Sequence, residues 1–321
     1  MPRSPRVTVV VPMHDSGARL DETLESIVAQ TFDDWEAVLV DDASTDDTLA
    51  RAQAFARREP RMRVVALRCN AGVAGARNAA IAASRGELVA LLDHDDRWRE
   101  NYLARCVELL DGARAAGGRP AIVACDALVE TPAGIAAETY AARLGAIDEV
   151  GLDEMIERNC ICARALFTRA AYDEVGGFST ACPGYDDYDL WLRMLEAGHE
   201  VVTTREPLAV YRLHDANLSS DAAGMSEGAL ATYGRALRRG ALTAGQRRVV
   251  RARMRHYRAL RERAVLRRAV AERRPLHAVK AAARAAPYGL VAFLQDPSRW
   301  GEWLAPARRR LRRRAARITS S

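Results

Sequence analysis

Apolar residues in the first hundred positions alternate between short continuous runs and runs spaced three or four apart. Val7–Val11 is a β-branched stretch suited to a strand covered on both faces. Leu20, Leu24, Ile27 and Val28 follow at helical spacing. Ala37–Val40 reads as a second strand, and Ser44 with Asp47 three residues on predicts the start of a second helix. Arg63–Leu67, Val73–Ser84 and Leu88–Leu92 continue the series as strand, helix and strand. Repeated β-α-β units of this length predict a doubly wound, mostly parallel sheet. Ligands of such sheets sit beyond the carboxyl ends of the strands. That places Pro12–Asp15, Asp41–Ser44 and Asp93–Asp96 on one polar rim.

From Arg99 to about Leu213 the pattern is mixed, with a helix over Tyr102–Leu110, a strand over Ala121–Leu128 and further short elements. After Asn217 it is helical and rich in Ala and Arg, with breaks at Gly240, Pro275, Pro287 and Pro297. A boundary between Asp215 and Gly224 divides the chain into residues 1–220 and a helical extension, 221–321. Charge sharpens this division. From Arg235 onward there are 25 basic and 4 acidic residues, against 23 and 38 in residues 1–234. Six scattered cysteines without metal-site spacing read as reduced, mostly buried small hydrophobes. The first apolar run is short and interrupted by Pro12, and no stretch reaches the ~18 apolar residues of a membrane span, so a cytoplasmic protein is expected.

The rim carries the candidate chemistry. In Leu91-Leu92-Asp93-His94-Asp95-Asp96 an apolar strand ends in closely spaced carboxylates. Their repulsion is relieved by a hard divalent cation, Mg2+ or Mn2+, which in turn neutralises a diphosphate leaving group. The same cluster also reads as a solvated, helix-capping loop. Asp41 and Asp42 suit hydrogen bonds from a nucleobase or ribose, or an Asx-type turn. Asn70–Asn78 opens a helix with Arg77 one turn in, placed for phosphate or base, or else for tight helix packing. It lacks Gly-x-Gly-x-x-Gly, which argues against a dinucleotide-dependent dehydrogenase. Asp186, Asp187 and Asp189 begin a helix whose apolar face is Leu190, Trp191, Met194 and Leu195. The helix dipole favours carboxylates there, and one of them aimed at a hydroxyl makes a general base. His214 taken alone is an ordinary polar residue.

Taken in order, these segments resemble the family 2 glycosyltransferases with the GT-A fold. The residues that carry the likeness are Val7–Pro12, Leu24–Ile27 with Gln30-Thr31, Val40–Thr48, Asn70–Asn78, Gly86-Glu87 through Asp96, Val175–Phe178, Asp186–Arg193, and Tyr211-Arg212 with His214, Asn217 and Ser219. The likeness runs over roughly residues 5–220. It implies an α/β fold of GT-A type, a doubly wound mixed but mostly parallel sheet flanked by helices, followed by the basic helical extension. It further implies inverting transfer from a nucleotide sugar, with UDP the commonest donor nucleotide, to a saccharide or lipid-linked acceptor. Pro12, Asp41, Asp42, Arg77 and Asp93 would contact the donor. Asp93, Asp95 and His214 would surround Mn2+ or Mg2+, Asp95 most directly. The family's Glu-Asp base pair reads Asp186-Asp187 here, so Asp187 is assigned as base with Asp186 as alternative.

Residues 308–317 include seven arginines and follow Trp300, Trp303 and Leu304, a combination suited to an anionic membrane surface or else to a solvated tail. No nucleic-acid recognition motif accompanies the charge, and nucleic acid is not an expected partner. Two other readings stay in play: an inactive sugar-nucleotide-binding scaffold, and a nucleotidyltransferase. The first would lack the carboxylates, and the second would carry a Gly-rich phosphate loop after the first strand. Neither feature is found.

Overall fold

The computed structural model describes residues 4–144, 149–161, 164–215, 217–272, 277, 280, 281 and 284. The predicted alternation is present at the N-terminus. It runs β1 (Val7–Met13), α1 (Arg19–Val28), β2 (Trp35–Asp41), α2 (Thr48–Arg58), β3 (Met62–Ala66), α3 (Gly72–Ala82) and β4 (Leu88–Leu91). Then come β5 (Arg97–Trp98), α4 (Tyr102–Ala115), β6 (Pro120–Thr131), β7 (Gly134–Ile135), α5 (Tyr140–Leu144) and α6 (Leu152–Glu157). The series closes with β8 (Leu166–Thr168), α7 (Arg169–Val175), α8 (Asp186–Glu196), β9 (Glu200–Arg212), a 3-10 turn (Leu218–Ser220), α9 (Ala222–Arg239) and α10 (Ala244–Ala271).

The strands form one mixed sheet in the order β3-β2-β1-β4-β8-β6-β9-β5, with β7 on β6. Its first half is parallel throughout: β2 pairs with β3, β1 with β2, and β1 with β4. The chain steps outward from β1 through β2 to β3, then returns to β1's other side as β4. That reversal opens a crevice at the carboxyl ends of β1 and β4. All seven residues of β1 and of β2 are buried, as their unbroken apolar runs require. Helix α1 buries Leu20, Thr23, Leu24 and Ile27. Beyond the parallel half, β8 runs antiparallel to both β4 and β6.

Three sequence expectations shift. Ser44 does not cap α2: its hydroxyl accepts from the Asp15 amide (3.1 Å), and the Thr48 amide donates to Asp46 Oδ1 at 2.9 Å. The reason is local backbone, because Ala43 takes φ 58° and turns Ser44 towards the β1 loop. The long strand β9 replaces the short elements expected there. Its mixed burial and internal Pro207 hide the alternation, and its register against β6 shifts at Cys125/Asp126 and Asp126/Ala127.

The third concerns organisation. The chain divides into compact units of residues 1–251 and 252–321, so α9 falls within the first unit, after the boundary expected near residue 220. Its composition resembles the extension, but its packing belongs to the first unit. Gly228 of α9 lies against the Pro183 carbonyl and the Tyr185 ring, and Tyr233 meets Tyr188 with hydroxyls 3.1 Å apart. In the second unit the described residues are the remainder of α10 and isolated helical positions. Residues 298–321, on which the membrane-surface expectation falls, and Cys162 lie outside the described residues. Cys106, Cys125 and Cys182 are buried, Cys160 half-buried and Cys69 exposed. Among the described residues no helix is long and apolar enough to cross a membrane.

Glycine inside a helix ordinarily costs about 1 kcal/mol relative to alanine. At Gly228 the sign should reverse, because a Cβ there would collide with the Pro183 backbone. We expect Gly228→Ala to destabilise the chain by about 1–3 kcal/mol in urea unfolding.

Candidate active site

Three strand ends and the start of α8 converge on the crevice. The unifying group is Arg77, from the middle of α3 and 3% exposed. Its Nη2 donates to Asp93 Oδ1 and its Nη1 to Asp186 Oδ2, both at 2.8 Å, while the guanidinium stands 5.6 Å from the Phe178 ring. Burial alone would lower its proton affinity, but Asp186, Asp93 and Asp187 together raise it, so Arg77 is a permanent cation. It therefore meets carboxylates rather than standing open towards a phosphate. One arginine ties the end of β4 to the start of α8.

Asp187 follows Asp186 in the first turn of α8 and accepts the Tyr188 amide at 2.6 Å. Burial, reinforced by the neighbouring Asp186 charge, pushes the Asp187 carboxyl up to about 7 against the opposing pull of Arg77. A carboxylate held near neutrality is tuned for proton transfer at physiological pH. Its place at a helix N-terminus explains how it can be buried at all.

Asp95 has different partners. His214 Nε2 lies 2.9 Å from Asp95 Oδ2, and Asn217 Nδ2 donates to the same oxygen at 3.2 Å. Asn217 Oδ1 in turn accepts the His214 amide at 2.6 Å, fixing the loop after β9. The 2.9 Å separation is close to the edge of an octahedron with metal–ligand bonds of about 2.1 Å (about 3.0 Å). The pair therefore fits adjacent positions on Mg2+ or Mn2+. Among the described residues no three His, Cys, Asp or Glu side chains are grouped to hold a metal alone. Asp93, expected as a third ligand, is engaged by Arg77. Two protein ligands with the remainder from phosphate oxygens and water is the usual pattern for these cations.

The donor-side residues lie at the ends of β1 and β2. Asp42 Oδ1 accepts the Ala71 amide at 2.6 Å, and the Asp42 carbonyl lies 3.0 Å from His14 Nδ1 and accepts from Asn70 Nδ2 at 3.3 Å. Asp41 Oδ2 accepts the Ser44 amide at 3.3 Å, while its buried Oδ1 has no hydrogen-bond partner among the described residues. Pro12 is buried in β1 opposite Val40. The β1 and β2 loops lock together through Asp15, which takes φ 46° and accepts the Thr45 amide at 2.7 Å. That hydrogen bond from Thr45 is the main cause holding the Asp15 carboxyl below the usual range, although burial opposes it.

Reading the sequence alone missed two supports. Asp96 is 1% exposed, forms an ion pair with Arg164 and accepts the Arg212 amide at 3.0 Å. It pins the loop that presents Asp95 to the end of β9. Arg164 also stacks 4.6 Å from Tyr211 and 5.3 Å from Tyr140. Asn78, the residue after Arg77, accepts from Tyr172 Oη (2.7 Å) and the Phe178 amide (3.0 Å), fixing the chain that leads into α8. Asp96 and Asn78 were visible in their motifs, but nothing in the sequence named partners so far along the chain.

With the geometry in place, comparison with known proteins gives the class. Residues 8–176 match the family model for glycosyl transferase family 2, and the chain belongs to that family. The O-antigen biosynthesis protein RfbC of Myxococcus xanthus is 32% identical over 226 residues, 70% of this chain and 17% of its own. The putative glycosyltransferase EpsE of Bacillus subtilis is 28% identical over 219 residues, 67% of this chain and 75% of its own. The putative teichuronic acid biosynthesis glycosyltransferase TuaG of B. subtilis is 36% identical over 106 residues, 33% of this chain and 42% of its own. The alignments cover 20%, 42% and 31% of the first three curated relatives, so the chain matches less than half of each.

Among solved structures, S. aureus TarS 1-349 in complex with UDP-GlcNAc superposes with a TM-score of 0.64 at 18% identity, over 88% of this chain and 89% of the other. The Pyrobaculum calidifontis mannosyltransferase PcManGT, in complex with GDP-Man and Mn2+, gives 0.63 at 23% identity, over 93% and 83%. These likenesses establish the GT-A fold.

Removing a buried cation that joins two carboxylates typically costs about 3–5 kcal/mol. Arg77→Gln should lose stability on that scale at neutral pH. The unpaired carboxyls then have folded-state pKa values raised above their unfolded ones, so the deficit grows as pH rises from about 4 towards 7. Chemical denaturation across that range measures it, and a deficit independent of pH would contradict the ion-pair account.

Proposed function

We propose that this chain is an inverting glycosyltransferase that moves a sugar from a nucleotide diphosphate sugar, a UDP-sugar in the first instance, to an acceptor hydroxyl during polysaccharide synthesis. The observation that carries this reading is the joint placement of Asp187, buried and tuned towards neutrality, and the Asp95–His214 pair at one crevice. Arg77 holds the two sides together.

In the proposed mechanism Asp41 and Asp42 accept hydrogen bonds from the base and ribose of the donor, with Pro12 shaping that end. Asp95 and His214, with Asp93 beside them, hold Mn2+ or Mg2+, which when bound supplies charge neutralisation to the departing diphosphate. Asp187 removes the acceptor proton as the acceptor oxygen attacks the anomeric carbon from the face opposite the nucleotide. Asp186 keeps Arg77 in place and adds negative charge beside Asp187. General-base help of this kind is worth about 10²–10⁴-fold.

Asp187→Asn should abolish transfer while nucleotide binding persists; turnover at the wild-type rate would remove Asp187 as the base. Because only the ionised carboxyl accepts a proton, the wild-type rate should rise with pH through about 7. A pH–rate profile flat from 5 to 8 would contradict the assignment. Calorimetric titration of UDP, GDP and dTDP with and without Mn2+ fixes the donor class. Asp95→Ala should erase the metal-dependent part of binding, and equal affinity with and without metal would exclude the proposed cation site.

The Arg-rich segment 298–321 is proposed to dock the protein on an anionic membrane surface, where each basic residue near the surface contributes about 1 kcal/mol. Flotation with phosphatidylserine-containing liposomes should be lost when this segment is removed, and equal flotation of both chains ends the idea.

A further inference from the structure

Helix α8 carries a third carboxylate, and no step of the proposed transfer uses it. Asp189 is completely buried, yet its partners lie away from Arg77. Its Oδ2 accepts from Arg193 Nε at 2.8 Å, within α8. Its Oδ1 accepts from two residues of α9, Arg235 Nε at 3.2 Å and Arg239 Nη1 at 3.3 Å. Arg239 also grips Glu196 at the far end of α8 with two nitrogens, Nη2 to Oε1 at 2.9 Å and Nε to Oε2. Arg193 continues the chain of contacts by donating to the carbonyls of Val175 and Gly177, the segment leading into the site.

A second contact reaches the same helix turn. Tyr188, adjacent to Asp187, is fully buried; its hydroxyl meets Tyr233 Oη of α9 at 3.1 Å and donates to the Met155 carbonyl. Gly228 lets α9 approach the Pro183 carbonyl, just ahead of α8. Helix α9 thus touches α8 at its entry, its first turn and its last turn. Apolar packing alone would have covered α8 as well, and replacing buried ion pairs by well-packed apolar groups is often neutral or stabilising. Directional bonds, by contrast, fix rotation and register.

From these contacts we infer that α9 is a positioning element for the acceptor-activating pair. Arg235 and Arg239 acting through Asp189, and Tyr233 acting through Tyr188, hold the first turn of α8 so that Asp187 keeps its place beside the Arg77 bridge. The inference rests on the function proposed above for its catalytic consequence, but the clamp itself is independent of that reading. Helix α9 lies beyond residues 8–176, the span matched to the family model.

The test uses the full chain with two variants, Arg235→Gln/Arg239→Gln and Tyr233→Phe. Hydrogen exchange should accelerate by about tenfold or more in peptides covering residues 184–192, while peptides of β1 and β2 exchange as in the wild type. Release of UDP from a panel of UDP-hexoses should show kcat reduced by about tenfold or more, with Mn2+-dependent UDP affinity within about twofold. Arg239→Lys, which keeps the charge but loses the two-pronged grip on Glu196, should fall between. Unchanged exchange at residues 184–192, or acceleration spread equally into β1 and β2, overturns the clamp. A local exchange effect with unaltered kcat overturns its positioning role. A wild-type chain that releases no UDP but whose variants show the local effect would remove the UDP-hexose donor reading and leave the clamp standing.

Discussion

The buried guanidinium of Arg77 is the constraint on which the crevice depends. Two carboxylates from distant parts of the chain, Asp93 and Asp186, can share a desolvated space only with a cation between them. Arg77 is on α3, which packs against the parallel strands, so its position is set by the most regular part of the fold. The base helix is thereby referenced to the same framework as the Asp-x-Asp loop. The acceptor-activating and leaving-group sides of the proposed reaction keep their separation without relying on either loop being rigid.

Around that bridge the carboxylates are differentiated by surroundings rather than by type. Asp187 is pushed up by burial and by Asp186, which suits it to take a proton. Asp95, with His214 and Asn217 as partners, is arranged to accept a cation. Asp96 is ion-paired with Arg164 and Asp189 with three arginines, so both serve as struts. Asp15, in an exposed loop, is held low by a backbone amide. One residue type therefore fills the proposed roles of base and ligand as well as that of strut, and the low-dielectric interior supplies the difference.

The acidic and basic halves of the chain have a corresponding structural logic. Some of the C-terminal arginines are paired rather than free surface charge: half-buried Arg235 and Arg239 balance carboxylates inside the first unit. The excess of acid in residues 1–234 is in part the counterpart of this pairing. The charge boundary and the structural boundary consequently fall at different places, the first within α9 and the second after it.

Much of the fold was legible in the chain because its causes are local. Unbroken apolar runs predict buried parallel strands, 3.6-residue spacing predicts the covering helices, and the rule for strand ends places Pro12, Asp41, Asp42 and Asp93 on one rim. The meeting of Asp95 with His214 also followed from a family likeness, though their 2.9 Å contact spans more than a hundred residues. What the tertiary structure alone decided is which carboxylate has which partner. In sequence Arg77 suits a phosphate, a base or tight helix packing equally; only the fold brings Asp186 to it. Likewise Asp189 and Asp187 look alike in sequence, two acids in one helical turn. Their difference arises from α3 on one side and α9 on the other, since charge pairing and desolvation depend on distances that no local pattern encodes.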